Sequence, residues 1–191
     1  QVEALREVLI QGGFNEVSTY TMVERGDVEL ALPLAEDKKY LRTDLALGHS
    51  KAVLLNMPNL PLFNTLDLRL FEIGNVWPKG AEKTLVGITY ASNEKKGDEK
   101  RVELFSALKE RFTQVFGTNA SPTVKGNTIE FDFDELVGSA APSIEITRTT
   151  LGSYRSFSVF PFALRDVAVW TPSGTSSETV QNIVKEAAGE L

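Results

Sequence analysis

Apolar and polar positions follow two different periods along this chain, and the switches between them predict a mixed α+β fold. Val2, Leu5, Val8 and Leu9 recur at helical spacing, and Gly12-Gly13 supplies the left-handed residue that ends such a helix. Phe14 to Met22 reads as a strand, because Val17, Thr19, Tyr20 and Thr21 suit a pleated surface. Asp27 to Asp37 reads as a loop or short strand around Pro33. A second helix is predicted with Thr43 or Asp44 as its cap and Leu45, Val53, Leu54 and Met57 as its apolar positions. Pro58 should stop it. Leu66, Leu68 and Leu70 then alternate with Asp67 and Arg69, the mark of a half-buried strand. Phe71 and Ile73 take the odd positions, so a strict strand places Glu72 on the leucine face. Either a bulge intervenes or Glu72 is buried with a partner. Gly74-Asn75 reads as a turn and Val76-Trp77 as a second short edge.

Leu85 to Ala91 is a further strand, and Asn93 to Arg101 reads as a charged, solvated loop. Leu104, Phe105, Leu108, Phe112, Val115 and Phe116 form a helical stripe that Gly117 closes; three phenylalanines in such a stripe read as core. Ile129 to Leu136 alternates, with Phe131 and Phe133 on one face and Glu130, Asp132 and Asp134 on the other, solvated face. Ile144 and Ile146 suggest another strand. Leu151-Gly152-Ser153 reads as a linker, which divides the chain into residues 1–150 and 153–191. In the second part Phe157 and Val159 begin a strand, Pro161 breaks it, and Leu164 to Trp170 resumes it. Thr175 and Glu178 form a capping box for a last helix with Val180, Ile183, Val184, Ala187 and Ala188 on one face. One strand and one helix cannot bury both their faces, so this unit reads as incomplete, and both ends of the sequence read as cuts in a longer chain.

Composition narrows the chemistry. A 191-residue chain that is 42% hydrophobic can bury a sizeable core. Twenty-six acids against 20 bases leave a net charge of −6, which gives no broad basic footprint for nucleic acid. There are no cysteines, so disulfides, thiolate nucleophiles and Cys-type zinc sites are excluded. The apolar runs are too short to span a membrane. No phosphate-binding glycine loop occurs. His49 is the only histidine, and it reads as a surface or packed residue rather than a base. Asp132 and Asp134 lack further ligands for a metal. Arg42 and Arg69 flank apolar runs and are expected to pair with Glu72 or Asp44 in structural ion pairs. The residues therefore predict no catalytic set and no metal site.

Four stretches resemble the β subunit of bacterial phenylalanyl-tRNA synthetase. They are Leu5 to Val17, Tyr40 to Leu45 continuing to Asn56, Arg69 to Trp77 ("RLFEIGNVW"), and Phe160 to Val169 ("FPFALRDVAV"). Their order and spacing agree with that family. One departure is the stretch between Gly117 and Leu151, which is shorter than the family's, with only Glu130 to Leu136 matching a family strand. The resemblance implies a class II synthetase-like module, an antiparallel sheet flanked by helices, followed by part of a ferredoxin-like anticodon-binding unit. It implies a module that has lost its catalytic residues, with Arg42, Arg69, Phe71 and Glu72 as structural or subunit-interface residues. Arg155, Arg165 and Lys185 are the candidate tRNA contacts. The implied partner is the catalytic α subunit, in a complex of two α and two β chains that uses ATP and Mg2+ at α. Contact with tRNA would come through the complete parent chain, in the cytoplasm, with no membrane or DNA partner and no cofactor held by these residues. Two other readings stand beside it: a stand-alone class II-like paralogue that binds a small ligand or regulates, and an RNA-binding module acting through the C-terminal unit.

Overall fold

A computed structural model describes residues 1–139, 142, 144, 156, 159 and 167–189. The chain divides into two units, Gln1–Thr149 and Thr150–Leu191. The first is built on a five-stranded sheet. Its strands are β1 (Asn15–Glu16), β5 (Asp67–Val76), β6 (Lys83–Ser92), β7 (Thr123–Lys125) and β8 (Thr128–Asp132), in the order β1-β5-β6-β8-β7. All pairings are antiparallel except β1 on β5. A small antiparallel sheet, β2-β4-β3, joins Met22–Val23, Tyr40–Leu41 and Val28–Glu29.

Each face of the main sheet is covered by helices. Helices α1 (Val2–Gln11), α3 (Gly97–Phe116) and α4 (Phe133–Val137) lie against one face. There Phe71 of β5, Val86 and Ile88 of β6, and Ile129 and Phe131 of β8 meet Leu5, Leu9, Leu108 and Phe112 in one apolar core. The strand pairings bring these residues level: Phe71 is opposite Ile88, and Ile88 is opposite Ile129. Phe112 packs edge-on against Phe131 at 5.6 Å between ring centres, a favoured aromatic arrangement. Helix α2 (Ala46–Asn56) lies over the other face and runs into a 3-10 segment, Met57–Phe63.

Several expectations are corrected. The strand expected over Phe14 to Met22 is only Asn15–Glu16 and, in the second sheet, Met22–Val23. Between them the backbone leaves the sheet so that Thr19 can turn its hydroxyl to Glu72. No bulge interrupts β5: its pairing with β6 is continuous from Asp67↔Ser92 to Val76↔Lys83. Gly74-Asn75 is therefore strand, and the reversal lies beyond Trp77, with a 3-10 turn over Pro78–Gly80. Pro58 ends the α-helical bonding at Asn56, but the chain goes on coiling as 3-10 helix through Pro58 and Pro61. The charged loop from Asn93 is helix from Gly97 onward, since Asp98 and Glu99 suit the positive N-terminal end of α3. Gly117 closes that helix with φ +68°. The strand through Phe133 stops at Asp132, whose side chain accepts from the amides of Asp134 and Glu135 and starts α4. A local cap defeats the alternation there. Ile144 lies in no strand and packs against the core; Ile146 is outside the described residues.

In the second unit the described residues carry one helix, α5 (Ser177–Ala188). Its cap is Ser176, accepting from the Thr179 amide at 3.1 Å, one residue later than expected. Thr175 instead donates to the Pro172 carbonyl. Val167 to Trp170 form no strand and are exposed. Phe157 and Leu164 to Asp166 lie outside the described residues. The apolar face of α5, with Ile183 and Val184, is exposed.

Phe112→Ala should cost about 3–5 kcal/mol of folding stability, because it removes a fully buried ring from the main core. Urea unfolding of the variant against the parent chain measures this.

Candidate functional site

A cluster of buried polar side chains lies beneath α2. Alternation along the three central strands brings Glu72, Gly87 and Glu130 into one row on the α2 face, since Glu72 pairs with Gly87 and Gly87 with Glu130. The next row holds Leu70, Thr89 and Thr128. Gly87 leaves a gap between the two carboxylates. A Cβ there would lie 3.0 Å from the Leu45 Cβ and 3.3 Å from His49 Cε1, so the missing side chain is what lets α2 settle on the sheet.

Glu72 is buried, and its carboxylate is fully engaged. Arg42 Nη1 donates to Oε1 at 2.7 Å, and the Thr19 hydroxyl donates to Oε2 at 2.7 Å. His49 Nε2 stands 3.5 Å from Oε2, the outer limit of a polar contact. Arg42 is also buried, with Nε donating to the Asn75 carbonyl at 2.8 Å. Burial pushes the Glu72 carboxyl up. The contacts from His49, Thr19 and Arg42 and the Arg42 charge outweigh it and hold the group at about 2. His49 is wholly buried, and its Nδ1 shares a 2.7 Å bond with the Thr89 hydroxyl. Thr89 in turn bonds to Thr128 at 2.7 Å. The series His49–Thr89–Thr128 ties α2 to β6 and β8, and the Arg42–Glu72–Thr19 set lies beside it, 3.5 Å from His49 Nε2.

A second set of charges holds the start of α2. Glu130 Oε1 accepts from the backbone amides of Leu45 at 2.7 Å and Ala46 at 2.9 Å. Its Oε2 lies 2.9 Å from Lys125 Nζ, which also donates to Asp44 Oδ2 at 2.9 Å. Asp44 Oδ1 accepts from the Leu47 amide at 3.1 Å. Asp44 thus contributes to the cap as expected, but the principal cap is Glu130 from a distant strand. The sequence reading placed Glu130 on a solvated face with Asp132 and Asp134. That face is covered by α2, and Asp134 is not on the strand at all. The usable signal was the combination of two acids, Glu72 and Glu130, on strands rich in apolar residues.

The remaining sequence candidates fall as follows. Phe71 is fully buried on the opposite, apolar face. Arg69 pairs with Asp67 at 2.9 Å and donates to the Gly12 carbonyl at 3.2 Å, partly exposed at the sheet end. Lys185 is on the exposed surface of α5. Arg155 and Arg165 lie outside the described residues. Among the described residues no group of acids and histidine is arranged to hold a metal ion, and no helix is long and apolar enough to cross a membrane.

The outer face of α2 has the reverse character. Leu47, Leu54 and Leu55 are exposed, as are Phe63 of the 3-10 segment and Tyr20 across a groove. That groove, of about 460 Å³, runs between the 18–23 segment and α2 and includes Met22, Leu47 and Leu55. Inward the helix presents Ala46 and His49, with Ala52 and Val53 half-buried. Its three leucines face solvent beside Ser50 and Lys51, whereas an ordinary surface helix turns its large apolar side chains to the core.

Residues 1–139 match the model of one protein family, described as the phenylalanyl tRNA synthetase beta chain CLM domain. The chain belongs to this family. The matched range includes Leu5 to Val17, Tyr40 to Asn56 and Arg69 to Trp77; Phe160 to Val169 falls beyond it. Among solved structures, this CLM domain is similar to a pyrrolysyl tRNA synthetase from Desulfitobacterium hafniense, at TM-score 0.48 and 19% identity, over 71% of this chain and 64% of that one. A histidyl-tRNA synthetase from Nostoc sp. PCC 7120 gives TM-score 0.42 and 13% identity over 60% of this chain and 30% of that one. An ATP phosphoribosyltransferase regulatory subunit/histidyl-tRNA synthetase from Bacillus halodurans C gives TM-score 0.41 and 19% identity over 58% and 32%. The chain spans less than two thirds of the length of each.

Two outcomes follow from the buried cluster. Glu72 has a carboxyl pKa depressed in the folded state, so its contribution to stability is complete above the unfolded value near 4.5 and is lost as pH falls toward 2. Glu72→Gln should therefore be less stable than the parent chain at pH 7 by a few kcal/mol, with the difference shrinking steadily below about pH 4.5; urea titrations at pH 7 and pH 3 compare them. Gly48→Ala should destabilise by about 1–3 kcal/mol although alanine favours helix. Its Cβ would lie 2.8 Å from the Thr19 Cβ, and Thr19 is pinned by Glu72. Thermal unfolding tests the sign.

Proposed function

We propose that this CLM domain is a non-catalytic scaffold of the β chain of phenylalanine–tRNA ligase, and that it packs against the catalytic α chain. The observation that carries this reading is the outward face of α2, where Leu47, Leu54 and Leu55 meet solvent. Arg42, Glu72, Thr89 and Glu130 bond within the fold to Thr19, Thr128, His49 Nδ1 and backbone beneath the helix, and His49 Nε2 is left 3.5 Å from Glu72 without a hydrogen bond. The leucines on the outside of the same helix form an apolar surface of the kind that a partner covers. In this reading ATP and Mg2+ act at the α chain, in a cytoplasmic complex of two α and two β chains, and tRNA is met through the complete β chain. Residues 153–191 belong to a ferredoxin-like anticodon-binding unit, which the exposed apolar face of α5 supports.

The chain should bind a purified α chain in a mixing experiment followed by sizing and light scattering. Alone, it should give no ATP–pyrophosphate exchange with phenylalanine. Exchange by the chain alone would overturn the scaffold reading, and so would failure to associate with α.

A further inference from the structure

Helix α2 has little apolar attachment to the protein. Leu45 at its start, with Ala46 and His49, is what it buries; Leu47, Leu54 and Leu55 point outward. Helices α1 and α3, by contrast, each bury four or more apolar residues in the main core. What fastens α2 is polar. The amides of Leu45, which precedes it, and of its first two residues are taken by two carboxylates, Glu130 for Leu45 and Ala46, and Asp44 for Leu47. One ammonium, Lys125, bridges both acids at 2.9 Å. Further along, a single bond from His49 to Thr89 ties the helix to β6.

We infer that Glu130, Lys125 and Asp44 form a latch, that α2 opens from the sheet as a unit while the main core stays folded, and that the latch sets how often it opens. The physics is that of local unfolding. A segment opens at a free energy set by its own attachments, and segments with few buried apolar contacts open first. Charge-assisted bonds to helix amides are about twice as strong as neutral ones; here those of Glu130 come from β8, and Asp44 is tied to β7 through Lys125, so the set holds the helix to the sheet as well as capping it. Opening would uncover the Arg42–Glu72 pair and the two threonines of β6 and β8, which α2 now covers. The inference does not depend on which surface meets a partner.

Hydrogen exchange followed by mass spectrometry on the whole 191-residue chain tests it. In the parent chain, amides of Gly48–Asn56 should exchange well before those of Val86–Tyr90 and the middle of α3. Glu130→Gln keeps an acceptor but removes the charge; it should speed exchange in α2 by about tenfold, the equivalent of losing one charged hydrogen bond, and leave α1, α3 and β6 within about twofold of the parent. Lys125→Met, a change at a half-exposed side chain, should speed α2 by a smaller factor. If Glu130→Gln fails to fold, Lys125→Met decides alone. Exchange in α2 unchanged by these substitutions, or rising in step with α1, α3 and β6, would overturn the inference.

Discussion

Glu72 stays ionised where it lies, and much of the surrounding arrangement follows from that requirement. A charged carboxylate removed from water is costly unless it is paired and hydrogen-bonded. Arg42 supplies the countercharge from the end of β4, Thr19 supplies a hydroxyl from the irregular segment before β2, and His49 stands nearby on α2. Each of these comes from a different element. The segment before β2 leaves the main sheet after Glu16, Gly48 keeps room for Thr19, and Gly87 lets α2 close over the row. Arg42 in turn reaches the Asn75 carbonyl, and its own carbonyl accepts from the Trp77 amide, which fastens the small sheet to the far end of β5.

The two faces of the main sheet thus hold their helices by different forces. On the α1–α3 side, apolar side chains from strand and helix interdigitate, and the hydrophobic effect is sufficient. On the α2 side, two carboxylates, a guanidinium, an ammonium, an imidazole and a chain of threonine hydroxyls do the fastening. Polar fastening of this kind favours one placement of helix on sheet, because hydrogen bonds hold only over a narrow range of distance and angle. It also frees the leucines of α2 from any duty in the core, which leaves them for the outside.

This division gives the family assignment a physical content. A sheet face whose polar groups bond to one another beneath a helix has them engaged in structure, while the same helix shows apolar side chains to solvent. Both features support the proposal that the module works by contact with another chain.

Sequence patterns alone determined the family, the mixed class of the fold, the main helices and strands, and the Phe105, Phe112 and Phe116 stripe as part of the core, because these depend on residue type and on periods of two and 3.6 along a local stretch. The sequence also required Glu72 to be bulged out or paired. What it could not decide was which. That choice, and the part played by Glu130, rest on contacts across 30 and 85 residues of chain, where local spacing carries no information. The same limit explains the turn wrongly expected at Gly74-Asn75: glycine there accommodates the Arg42 guanidinium packed against it, a neighbour that exists only after folding. Whether a strand face meets water or a helix is decided by what packs on it. For β8 the tertiary structure put one acid of an apparently solvated row, Glu130, beneath a helix, and used the next, Asp132, to cap another.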